Sequence, residues 1–318
     1  MRDPATRARP TPPPTVAPSA VAGDSRARGD AEKRVKSQSG VHRVAEELIL
    51  KGGRRISLGQ GLRELWAFRE VVWAFAERDT RLKYKQAALG GAWAVIQPLA
   101  FLTIFVVVFG RAAGVSGGGI SYPAFALAAL VPWFFIQTGV LFAAQALILD
   151  APLIRKVYFP REAPVLGAVL SAGLDFAIGF GLLLLLEPAL GGRFSWTVLF
   201  VIPLWLILAL LVSGAAMALG ALNVYYRDFR YALPILVQLW MFASPVAYPL
   251  AALPVQWRTL YVFANPAVGT LDGFRRAIAQ GQAPDPWLLA ISAVEACVVA
   301  WLGYVVFKRV EPVFADVV

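Results

Sequence analysis

The sequence predicts an all-α polytopic membrane protein with six transmembrane helices, an N-terminal interfacial amphipathic helix and an outer re-entrant helical hairpin. Three observations carry that expectation. Hydrophobic residues make up 58% of the 318-residue chain against 16% charged, and mean hydropathy is +0.62. Polar residues are too few to cover a soluble protein of this size, whereas lipid takes the place of water around a membrane protein. Apolar runs of bilayer-crossing length recur along the chain, and basic residues cluster on alternate connections between them.

Residues 1–60 read as a separate tail. They hold 12 Lys/Arg against 6 Asp/Glu, together with a Thr11–Pro14 T-P-P-P run and no apolar stretch of signal-peptide type. Residues 61–318 form the membrane domain. Over 62–80, Leu62, Leu65, Trp66, Phe68, Val72, Trp73 and Phe75 alternate at helical spacing with Arg63, Glu64, Arg69 and Glu70. The uncharged stretches there are too short to span, so this helix is expected in the headgroup plane. Spans follow at 91–109, 123–149, 164–186, 196–222, 233–250 and 287–307. The fifth is short and interrupted by Pro234, Pro245 and Pro249. Between the fifth and sixth lies Pro254–Pro286, where Asn265-Pro266 separates two helical pieces, neither long enough to cross. This excursion is expected to be the re-entrant hairpin.

With the N-terminus inside, cytoplasmic segments carry 11 basic residues and outer segments 5, counted from Arg78 to Arg309. The positive-inside rule then places both termini in the cytoplasm. Membrane lipid is therefore a partner, and nucleic acid is not expected, because no basic residue sits in a recognisable reading module. Cys297 is the only cysteine and His42 the only histidine. An internal disulfide is excluded, and neither a metal cluster nor histidine-based acid–base chemistry is expected within the membrane part.

No phosphate loop, dinucleotide fingerprint or zinc spacing occurs, so the chain is not expected to be an enzyme or to hold a cofactor. Asp175 and Glu295 are the carboxylates inside spans, and Glu187 stands near a span end. Isolated in different spans, they make a poor catalytic pair. For Asp175 a structural hydrogen bond, a place on a transport path and proton coupling all remain open; Glu295 is expected in a buried contact. The segment Asp150–Glu162 is the most informative polar stretch. Leu153, Ile154, Val157 and Tyr158 recur at helical spacing, and Pro160 ends the run. A short apolar face outside the membrane calls for a partner groove, or for a resting place on the chain's own membrane domain.

The run L-I-R-K-V-Y-F-P-R-E, from Leu153 to Glu162, resembles the coupling-helix region of the membrane subunits of type-2 ABC exporters for polysaccharide and polyol phosphate. Four further motifs are similar to that family in the same order. They are R-L-K-Y-K-Q-A-A-L-G-G-A-W-A-V-I-Q-P-L at Arg81–Leu99, N-x-Y-Y-R-D at Asn223–Asp228, Asn265-Pro266 followed by Gly273-Phe274-Arg275, and the ending F-A-D-V-V. The resemblance implies a homodimer in the cell inner membrane that binds two copies of an ATP-binding ABC subunit. ATP and magnesium would belong to that partner, and the cargo would be an O-antigen-like glycan on polyprenyl diphosphate. Teichoic acid, capsule and galactan exporters share the pattern. A membrane-embedded glycosyltransferase is the alternative from another class, but it needs an acidic cluster the sequence does not display. On the family reading Leu153, Ile154, Arg155, Lys156, Tyr158, Phe159, Arg227 and Asp228 couple to the ATPase. A long glycan needs a continuous channel, and aromatic rings stack on sugar faces without demanding one hydroxyl pattern. Trp93, Phe101, Trp133, Trp240, Phe242 and Tyr248 are the candidates for that path, with Asp175 as the intramembrane acid.

Overall fold

A computed structural model of the chain describes residues 58–85, 90–154, 156–193, 195–226 and 228–314. The expected tail therefore lies outside the described residues up to residue 57. Within the described residues the structure is helical, with no strand. Five helical stretches are long and apolar enough to cross a membrane: Gly90–Ala112, Tyr122–Leu149, Glu162–Leu186, Trp196–Tyr225 and Pro286–Val310. They coincide to within a few residues with expected spans one to four and six.

In chain order the α-helices are α1 (Leu58–Ala67), α2 (Arg69–Lys85), α3 (Trp93–Phe105), α4 (Tyr122–Leu149), the four-residue α5 (Ala151–Ile154) and α6 (Glu162–Leu186). They continue as α7 (Val201–Tyr225), α8 (Phe229–Phe242), α9 (Val255–Ala264), α10 (Val268–Ile278) and α11 (Pro286–Val310). A π-helical turn, Val106–Ala112, extends α3, and a 3₁₀ turn, Trp196–Phe200, leads into α7. Local chemistry sets several of these ends. The Ser121 side chain accepts the Ala124 amide at the start of α4, and Asp285 accepts the Trp287 and Leu288 amides at the start of α11. A proline follows each cap, where its missing N–H would have had no helical partner.

Helix α4 is the axis of the fold. Its residues from Ala124 to Ile136 are buried almost without interruption, packed between α6 and α7. The contacts around it rely on small residues. A Cβ on Gly139 would press into Val212, and one on Gly303 of α11 would overlap the Gly214 backbone of α7. Among membrane helices, where lipid is as apolar as leucine, such close approach supplies the packing energy.

Three expectations are corrected. The 62–80 segment is two helices rather than one, divided at Phe68, where Val71 N–H bonds back to the Phe68 carbonyl at 2.9 Å. Of its aromatics, Phe75 is buried against Phe159 and α6, while Trp66 and Trp73 stay exposed. The fifth span is not a helix over 233–250. Helix α8 stops at Phe242 after 14 residues, because Pro245 and Pro249 cannot supply the amides that a continuing helix needs. The coupling helix begins two residues early, at Ala151, and its α-helical part ends at Ile154. By contrast the excursion divides as expected into α9 and α10 about Asn265-Pro266.

Candidate functional site

The connections gather at two ends of the bundle. At one end, residues 150–162 bridge α4 and α6 beside α1, α2 and the last turn of α11. Asp150 at the C-cap of α4 receives both terminal nitrogens of Arg78, at 2.5 and 2.8 Å. The same guanidinium lies 4.7 Å from the Phe75 ring centroid. From Asp150 the chain makes a single turn, since Pro152 fits only a first helical turn. The Lys156 and Val157 amides close it on the Leu153 carbonyl at 3.0 and 3.1 Å. Pro160 then directs it into α6, whose first residue, Glu162, pairs with Lys308 at 2.5 Å. Lys308 also reaches Glu311 at 2.9 Å. Tyr158 donates to Glu64 of α1 at 2.9 Å, and Arg161 donates to the Glu311 carbonyl.

This turn divides the expected coupling residues into two sets. Phe159 is buried, its ring 5.3 Å from Phe75, and Ile154 packs against the same cluster. Leu153, Val157 and Tyr158 are exposed, with Lys156 beside them. Asp228 is exposed near the start of α8. Arg155 and Arg227 lie outside the described residues. The apolar face expected from helical spacing is thus split: Ile154 anchors the segment to its own bundle, and Leu153, Val157 and Tyr158 are presented outward.

The aromatic candidates do not form one path. Trp133 is wholly buried, its ring 5.5 Å from Trp240, and packs in the core of the bundle. Phe101 makes edge contacts with Phe134 and Phe105. Trp240 donates to Asn265 at 3.0 Å, and Tyr248 to the Phe242 carbonyl at 3.2 Å. Phe242 and Trp93 are the exposed members. Trp93 borders a cavity of about 340 Å³ between α2, α3, α4 and α6, together with Gln97, Phe134, Phe142 and Asp175.

Asp175 sits at the edge of that cavity with Lys83 Nζ at 3.0 Å and the Tyr84 hydroxyl donating to its other oxygen. Its partners therefore come from the end of α2, a pairing that the sequence signals only through the basic cluster before the first span. The other carboxylates behave differently. Glu187, just past α6, is fully buried with no hydrogen-bond partner for either oxygen among the described residues, and burial pushes its carboxyl up to about 8. Both Glu295 oxygens are also buried without a hydrogen-bond partner among the described residues. Sequence reasoning places Arg275 of α10 in a family motif and among the outer basic flanks, but misses that it is buried. Its signal was its place on the buried stripe Leu271-Phe274-Ile278.

The fold and this arrangement can be set beside known proteins. The model of the ABC-2 type transporter family matches residues 70–279. The chain belongs to that family. An ABC-2 type membrane subunit is a transport component rather than an enzyme, which agrees with the lack of a phosphate-binding loop in the sequence. The chain is 27% identical to the O-antigen export system permease protein RfbA of Myxococcus xanthus, over 80% of this chain and 98% of that protein. It is 21% identical to an RfbA of Klebsiella pneumoniae, over 78% and 95%. Its identity to the polysialic acid transport protein KpsM of Escherichia coli is 26%, over 76% and 93%. All three alignments extend over nearly the whole length of the relative, so the likeness covers the ABC-2 membrane domain from end to end.

Proposed function

We propose that the chain is the channel-forming subunit of an ABC exporter that carries a lipid-linked, O-antigen-like polysaccharide across the inner membrane. The observation that carries this reading is the near full-length similarity to permeases named for O-antigen export. Two chains form the channel, and two copies of a separate ATP-binding subunit drive it with ATP and magnesium. Both termini and residues 150–162 face the cytoplasm. Leu153, Lys156, Val157 and Tyr158 dock in the ATPase, while Ile154, Phe159, Asp150 and Glu162 fasten the segment to the bundle. The support is geometric: a docking segment must expose apolar groups to its partner and be held rigidly behind them. The α9–α10 hairpin closes the outer end, and the exposed aromatics Trp93 and Phe242 offer the first stacking surfaces for sugars.

Deletion of the gene tests the reading. Cells lacking this chain are expected to accumulate finished lipid-linked glycan on the cytoplasmic side, with none at the surface. Loss of the glycan itself would instead indicate a glycosyltransferase. A capsule-type cargo is the second reading, favoured by the comparable identity to KpsM. The lipid on the accumulated glycan distinguishes it from the O-antigen type.

A further inference from the structure

The chain leaves helical geometry between α8 and α9, yet Ser244–Ala247 are buried. Backbone that is neither helical nor wet is costly unless each polar group finds a partner. The prolines at 245 and 249 remove two amides but leave their carbonyls, so acceptors are in excess. Side chains from elsewhere in the fold satisfy them. Ala243 accepts from Tyr261 at 2.8 Å and from Asn265 Nδ2 at 2.9 Å, and the same nitrogen meets the Ser244 hydroxyl at 2.9 Å. Arg275 Nη2 bonds the carbonyls of Pro245 and Val246 at 2.5 and 3.0 Å. Tyr122 of α4 donates to Ala247 at 2.9 Å.

Arg275 also ties in α4, bonding the Phe125 carbonyl at 3.2 Å with its guanidinium 3.7 Å from the Phe125 ring centroid. It is 1% exposed. A flat fork with several donors is suited to three carbonyls on two elements, whereas a lysine ammonium is a single point of charge. Asn265 works alongside it, since its oxygen accepts from Trp240 of α8 while its nitrogen bonds residues 243 and 244.

We infer that Arg275 and Asn265 are positioning residues that lock the 243–248 turn to the α9–α10 hairpin, so that the end of α8 and the hairpin move as one piece and seal the resting channel. The inference rests on the permease reading above. Its distinct content is that the seal is a set of side-chain bonds to one unwound segment, with the arginine acting through its geometry rather than its charge.

The test uses the full complex with its ATPase subunit, reconstituted in liposomes, with ion leak recorded in the absence of nucleotide. Arg275→Lys and Arg275→Met are both expected to raise resting leak about tenfold or more, the shift that loss of one charged hydrogen bond gives a two-state equilibrium. Their assembly should match the wild type by size, with a melting temperature lowered by the carbonyls left unpaired. Wild-type leak in Arg275→Lys overturns the proposal, because charge alone would then suffice; so does wild-type leak in both. Should the arginine variants fail to assemble, Asn265→Ala decides in the same way: a rise in leak supports the lock, and an unchanged leak removes it. ATP-driven glycan export is measured on the same vesicles. Failure of the wild type there counts against the permease reading, while the leak comparison still decides the lock.

Discussion

Glu187 and Glu162 are both buried acids, but they stand on opposite terms with their surroundings. Glu162 has Lys308 at 2.5 Å, whereas Glu187 has no hydrogen-bond partner for either oxygen among the described residues and a carboxyl raised to about 8 by burial. A group that holds its proton more tightly when folded stabilises the fold while protonated. Between its ordinary pKa near 4.5 and about 8 the unfolded chain has released the proton and the folded one has not, so stability falls across that window as pH rises. Glu187→Gln is therefore expected to raise the melting temperature at pH 7 and to flatten its dependence between pH 5 and 8, worth a few kcal/mol at most. An unchanged pH profile in the variant would show that Glu187 is not the titrating group. For the paired acid, Lys308→Met should cost about 3–5 kcal/mol, because it strands a buried charge. Adding Glu162→Gln should restore part of that loss. Equal instability of the single and double variants, measured by thermal unfolding in detergent, would remove the pair from the account.

Element by element, what the sequence reveals depends on whether an element is defined by length or by company. Spans of twenty or more apolar residues are fixed by the bilayer's thickness, so five of them are legible from composition alone. The proline-broken fifth span was legible as short, but not its end at Phe242, which depends on carbonyl partners 18 to 30 residues away at Tyr261, Asn265 and Arg275. The coupling segment illustrates the limit most directly. Helical spacing put Leu153, Ile154, Val157 and Tyr158 on one face, yet Ile154 turns inward to the Phe75–Phe159 cluster. The two substitutions that spacing alone would treat alike should now differ. Tyr158→Asp is expected to leave assembly of the membrane domain intact and to abolish stimulation of the ATPase partner. Ile154→Asp should destabilise the membrane domain itself by about 1–3 kcal/mol, through a carboxylate set against the partly buried apolar contact with the Phe75–Phe159 cluster. The comparison is read by detergent melting and by ATPase assay of the complex; matching phenotypes would contradict the division. The α7–α11 contact makes a separate claim. Gly303→Val drives a side chain into the Gly214 backbone and should cost at least about 1–3 kcal/mol, seen as a lower yield of folded protein.

At the scale of the whole molecule, the two ends of the bundle have different chemistry, and the proposed function uses the difference. One end bears ion pairs that brace an exposed turn: Arg78–Asp150, Glu162–Lys308 and Lys308–Glu311. The other binds an unwound segment through side-chain bonds to carbonyls. Between them the family's membrane domain carries no phosphate-binding loop, so work must be delivered from outside the chain. The measurement that tests this most directly is transport in sealed vesicles containing this chain with and without its ATP-binding partner, supplied with lipid-linked glycan and magnesium-ATP. The account predicts glycan appearing across the membrane only when both subunits and ATP are present, with no hydrolysis by this chain alone. Glycan crossing at an undiminished rate without the partner, or ATP hydrolysis by the purified chain, would contradict it.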